Sequence, residues 1–249
     1  MPLFISPESV WRFLSWPETY FSSLRTHPYW VEPLLISVLT TTLLAYCQHR
    51  FAVRCMRLYM WKQMAESMPD GALHALGARL PTITITFSLF GLLLKCGIGA
   101  ILLTLVADLI SGRGGLSQML ALTITLSVVS LLEPLHALIL LIVRGIENIH
   151  SSSDFEVRMG LRYLVPDARP GFATLLNSIN IYQFLTLWFA VVGVSSLCEC
   201  SRAIAVVIVS IYWALWIAFK IMSAEVCAIG HRRLAMANDG EWEQRKGGY

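Results

Sequence analysis

Apolar residues along this chain come in unbroken runs, without the regular polar interruptions of a water-facing helix or strand. Five runs hold almost no charge: residues 30–46, 82–108, 117–143, 181–197 and 203–222. Each is near the length of about 20 residues that carries a helix across about 30 Å of hydrocarbon. The second and third are longer than crossing requires, which predicts tilt or a break. Pro134 lies inside the third and has no backbone N–H to give, so a kink is expected there. The Gly-rich stretch "ISGRGGLSQ" (110–118) predicts a tight turn that folds the second and third runs into a hairpin.

Polar and amphipathic segments separate the runs. Residues 6–28 read as a short helix along the membrane surface, with Ser6 as its N-cap and Pro7 at its first position. Trp11, Trp16, Tyr20, Tyr29 and Trp30 are expected at headgroup level, where amphipathic rings concentrate. After the first run, "HRFAVRCMRLYMWKQMAESM" reads as a basic amphipathic helix on the cytoplasmic leaflet. Arg50, Arg54 and Arg57 share one face, and Phe51, Cys55 and Leu58 share another. Residues 145–180 read as a polar linker skirting the surface, and the end of the tail ("EWEQRKGGY") as partly disordered. The expected fold class is all-α: a polytopic integral membrane helical bundle with five transmembrane helices, an N-terminal interfacial helix and a basic amphipathic helix after the first span. The organisation is an interfacial segment (1–29), a five-span domain (30–222) and a basic tail (223–249).

Composition agrees. Hydrophobic residues make up 56% of the 249 and charged ones 14%, against about 25% charged in an ordinary soluble domain. The net charge of +3 is small, so its distribution matters more than its size. With five spans, alternate connecting segments share a side. One set carries four Lys and Arg residues and the other fourteen, Lys95 lying within a span. The positive-inside rule places the richer set, with the C-terminus, in the cytoplasm and the N-terminus outside. Anionic lipids on the cytoplasmic side are the implied partners of the basic segments. Nucleic acid is not, because the basic residues are few and flanked by membrane.

Within the spans the notable chemistry is Lys95, Glu133 and His136. Lys95 lies 19 residues before Gly114 and Glu133 lies 19 after it, so a hairpin turning at Gly114 brings them to similar depth. The expectation is a buried polar cluster in which Glu133 neutralises Lys95, with His136 one turn beyond Glu133 on the same face. A buried pair of this kind pins one helix to another; the same trio is also the raw material of a proton or ion relay. Thr84, Thr86, Ser88, Thr123, Thr125 and Ser127 add hydroxyls that serve either a polar path or helix packing.

No catalytic constellation is present: there is no G-x-S-x-G, no H-E-x-x-H and no phosphate-binding loop. Glu133-x-x-His136 matches half of a di-iron site, but the other half is lacking. No metal site and no cofactor are expected, His136 being a weak candidate ligand for a haem or chlorin. The six cysteines lack the spacings of a zinc site or disulfide framework and read as free thiols.

Three stretches resemble the bacterial branch of the Yip membrane-domain family, five-span proteins named for interacting with Ypt/Rab GTPases. They are "WPETYFSSLRTHPYWVEPLL", "SGRGGLSQMLALTITLSVVSLL" and "LLNSINIYQFLTLWFAVVGVSSL". The chain departs from that pattern at Leu116, where an aromatic is usual, and at Asn180, where an acidic residue is usual. The resemblance implies a multi-pass protein of the bacterial inner membrane, with relatives in eukaryotic vesicle traffic. It also implies a cytosolic N-terminus, against the charge count; the count concerns this chain and is the expectation kept here. The function expected is that of a non-enzymatic accessory or scaffold subunit binding other integral membrane proteins or lipids. Alternatives are a small channel or transporter using Lys95, Glu133 and His136, and recruitment of a GTPase or trafficking factor by family analogy.

Overall fold

The structure is a computed structural model that describes residues 13–26, 29–64, 70–148, 160–165 and 168–246. Among them every regular element is helical. The helices are α1 (Pro17–Thr26), α2 (Val31–Met64), α3 (Asp70–Ser111), α4 (Leu116–Ser130), α5 (Leu132–Arg144), α6 (Pro170–Asn177), α7 (Ile181–Cys198) and α8 (Arg202–Lys246). Five segments are long and apolar enough to cross a membrane: Val31–His49, Pro81–Ser111, Leu116–Arg144, Ile181–Cys198 and Arg202–Val226. They coincide with the five runs in the sequence, and the protein is a multi-pass membrane protein.

The basic segment after the first span is helical, as expected, and its backbone continues α2 without interruption to Met64. No Pro or Gly lies between the apolar and basic parts, so nothing local stops the helix at the membrane edge. The side chains of Arg50, Arg54 and Arg57 lie outside the described residues, as do Ser6, Pro7 and Trp11. The tail likewise extends the fifth span as one 45-residue helix to Lys246 instead of fraying. The linker is partly built, holding a 3₁₀ turn at Gly160–Leu164 and the helix α6.

The chain forms two compact units, residues 1–157 with 182–210 and residues 158–181 with 211–249. In the first, α4 is the hub. Nine of its fifteen residues are buried, on all sides of the helix, as expected of a helix apolar all round. Small side chains allow close approach: Gly193 of α7 packs onto Leu122, itself 0% exposed. Ser37 of α2, also 0% exposed, hydrogen-bonds Ser127 of α4 at 2.7 Å. The Ser127 hydroxyl donates to the Ile124 carbonyl at 2.6 Å, so Ser37 is the donor between the two serines.

The third span breaks at Leu131, three residues before Pro134. Proline at that position cannot donate to the Ser130 carbonyl four residues back, and its ring crowds that carbonyl. The break thus falls one turn ahead of the proline that causes it.

The second unit closes on two glycines. Gly160 has φ +62°, and a side chain there would collide with the Ile179 and Leu176 carbonyls. The Gly171 amide donates to Glu225 Oε1 at 2.8 Å, placing a carboxylate at the N-terminus of α6, where the helix dipole favours it. A Cβ at Gly171 would lie 2.6 Å from that oxygen.

Candidate functional site: the broken third span and the capped end of the bundle

The break in the third span creates two half-helix ends within the span. At the carboxyl end of α4, Ser130 Oγ donates to the Ser127 carbonyl at 2.8 Å and accepts from Lys95 Nζ at 3.1 Å. At the amino end of α5, Glu133 lies in the first turn. A cation at a helix C-terminus and an anion at an N-terminus are each on the favourable side of the macrodipole. Pro134 therefore makes a place for both charges.

The three candidate residues differ in exposure. Lys95 is exposed on the flank of α3, while Glu133 and His136 are half-buried. His136 turns to the fourth span, its Nδ1 lying 2.8 Å from Tyr182 Oη. Tyr182 was legible only as the tyrosine of "NIY", with nothing local to pair it with a histidine 46 residues earlier.

The hydroxyls at this depth serve packing. Thr123 Oγ1 lies 3.0 Å from the Leu120 carbonyl and 3.1 Å from the Cys96 carbonyl, bridging α4 to α3. Thr125 donates to the Ala121 carbonyl at 2.8 Å. Together with Ser127 these groups are buried and engaged.

A second group of charges gathers at one end of the first unit. Glu199, in the turn between the fourth and fifth spans, accepts from Arg25 of α1 and from Arg113 of the hairpin turn, the latter at 2.9 Å. Glu18 of α1 pairs with Arg202, and Gln118 donates to the Arg25 carbonyl at 3.1 Å. Glu199 holds φ +51°, a left-handed turn conformation unusual for a side chain other than Gly, Asn or Asp. The N-terminal segment, the 112–115 turn and the 199–201 turn thus share one end, as alternate connections of a five-span chain should.

Beneath these ion pairs, Phe21 and Leu24 of α1 are 0% and 1% exposed. Phe13 stacks on Phe189 of the fourth span at 4.6 Å. The interfacial segment is therefore a cap packed on the bundle, with Trp16, Tyr29 and Trp30 left exposed. Tyr20 is half-buried, and burial pushes its phenol above the usual 10.0, with the Glu32 carboxylate adding and the Thr125 hydroxyl opposing.

Among the described residues, Cys47, Cys96, Cys198 and Cys200 are free thiols. Burial pushes Cys200 above its usual 9.0, away from a reactive thiolate. No group of three metal-ligating side chains occurs among the described residues. The chain matches no family model, no curated protein and no solved structure.

Proposed function

We propose that this protein is a non-enzymatic accessory or scaffold subunit of the bacterial inner membrane that binds other integral membrane proteins within the bilayer. One observation carries the reading. Lys95 is exposed and stands 14 residues after Pro81 and 16 before Ser111, in the middle of its span. Either end is about 20 Å away along the helix, beyond the reach of a lysine side chain. An ammonium facing lipid at that depth is disfavoured by about 3 to more than 10 kcal/mol, depending on the reference. Contact with Ser130 and with the end of α4 offsets part of this. A helix of another protein laid on this exposed flank would shield the ammonium from lipid.

The three stretches resembling Yip-type domains fit a binding role and an inner-membrane address. The charge count favours an external N-terminus, which makes the capped end the external one.

The test is purification from native membranes in mild detergent, comparing wild type with Lys95→Met, Glu133→Gln and the double variant. A membrane partner that accompanies the wild type and is lost from Lys95→Met is the expected result. A wild type that runs as a bare monomer sinks the reading. A double variant no better tolerated than the worse single variant excludes direct pairing of Lys95 with Glu133.

The broken third span favours a second reading, a small transporter, because half-helix ends at membrane depth suit ion binding. Proteoliposome flux abolished by Glu133→Gln would establish it over the first.

A further inference from the structure

The segment between the third and fourth spans turns apolar side chains outward where a polar linker was expected. Among its described residues from 160 to 177, seven are exposed, and Arg169 alone of these carries a polar side chain. Leu164 is 73% exposed, Phe172 52%, Leu161 41% and Val165 40%. Leu161 and Leu164 stand on one face, because side chains three apart eclipse in a 3₁₀ turn. On its other face α6 buries Ala173 and Leu176 and presses Gly171 against Ile221 and Glu225 of α8.

Two ties fix the depth of this surface. At the amino end of α6, the Gly171 amide donates to Glu225 Oε1 at 2.8 Å, and Glu225 stands one residue before Val226, where the fifth span ends. At its carboxyl end, a turn at 178–180 leads into Ile181, the first residue of the fourth span. The fifth span ends on the side where the fourth begins, so both ties belong to one membrane boundary. A helix of eight residues, about 12 Å long, that is tied at both ends to one boundary lies along it. The Leu161 amide donates to the Ile179 carbonyl at 3.3 Å and brings the 3₁₀ turn to the same level.

We propose that the 3₁₀ turn and α6 form a lipid-inserted element, with Leu161, Leu164 and Phe172 set into the headgroup–acyl boundary of the leaflet in which the fourth span begins. Amphipathic pieces lying in an interface bury their apolar face about 5–10 Å into that boundary. Exposed apolar surface of this kind marks contact with a membrane or with a protein. The depth selects lipid, because the element is continuous with the span boundaries that lipid already surrounds. Arg169, exposed at the N-cap of α6 three residues before Phe172, supplies a cation at the level of the phosphate heads. The element goes beyond the scaffold reading and does not need it, since the leaflet holds it whether or not a protein partner is bound.

The experiment replaces Leu164, Phe172 or Phe219, one at a time, with photoreactive p-benzoylphenylalanine in the full chain. The protein is irradiated in cell membranes, purified, and its intact mass is measured. Phe219, 50% exposed within the fifth span, is the reference for a lipid-facing ring. Leu164 and Phe172 are each expected to gain the mass of one phospholipid, as Phe219 does. Both positions are exposed, so neither replacement requires the core to repack. A protein adduct at either position makes the surface a docking site for a partner protein and overturns the proposal. Failure of either position to take lipid while Phe219 does, the result for an element facing water, overturns it as well.

Discussion

Gly193→Ala is a sensitive test of how tightly the fourth span packs on the hub. A methyl at Gly193 would stand 3.3 Å from Leu122 Cδ2 and 3.5 Å from its Cγ, and closer still to Cδ1. Leu122 is 0% exposed, so it has no free space to turn into. Overpacking of this kind costs about 1–3 kcal/mol, while the gain in helix propensity from Gly to Ala returns about 0.8–1 kcal/mol. The net expectation is a loss of about 1 kcal/mol. Leu122→Ala alone leaves a void and should cost about 2–5 kcal/mol. In the double variant the new methyl grows into that void, so the two effects should fall short of their sum by about 0.5–3 kcal/mol. Unfolding of the detergent-solubilised protein by added dodecyl sulfate, followed by circular dichroism, measures all four proteins on one scale. If the double variant equals the sum of the singles within about 0.5 kcal/mol, the contact is loose and the picture of α4 as a close-packed hub is wrong.

Two further outcomes separate effects that the structure places side by side. At the capped end, exposed ion pairs contribute under about 1 kcal/mol, whereas truncating a buried phenylalanine costs about 3–5 kcal/mol. Phe21→Ala should therefore expose the Arg25 peptide bond to trypsin, and Glu199→Gln should leave it protected; the reverse order would make the ion pairs the clasp. In the third span, Tyr182→Phe removes the phenol that meets His136 Nδ1 at 2.8 Å. It should move the ring-nitrogen resonance of His136 in nuclear magnetic resonance spectra without changing helix content, and an unmoved resonance would show that the contact does not persist in solution.

The spans were legible because lipid imposes a condition that any crossing helix meets alone: enough apolar residues in a row to satisfy its own backbone. The break was legible for the same local reason, since Pro134 acts on a carbonyl four residues away. Long-range features were not. Glu199 takes its arginines from positions 86 and 174 residues distant, and its sequence neighbourhood, "CECSR", suggests only a polar turn. The end of α8 was misjudged because a change from apolar to basic residues alters the solvent a helix prefers without altering its willingness to be helical. The equal spacing of Lys95 and Glu133 about Gly114 led to the correct neighbourhood, as Ser130 lies one turn from Glu133. It did not tell that Lys95 would be exposed on the flank of α3.

That last point separates the two groups of charge in this molecule. At the capped end, Arg25, Arg113 and Glu199 are 46%, 63% and 45% exposed in their side chains. Water or headgroups solvate them there whether or not they pair, so their arrangement needs no ligand to explain it. Lys95 has the same kind of exposure at a depth where neither solvent reaches. The dipole of a half-helix is worth about 0.3–1 kcal/mol at an exposed site, rising to about 2 when partly buried. That is less than even the low estimate for an ammonium in hydrocarbon. Contact with Ser130 and the end of α4 lowers the penalty, and on the proposed reading the exposed flank around Lys95 is where a second membrane protein docks.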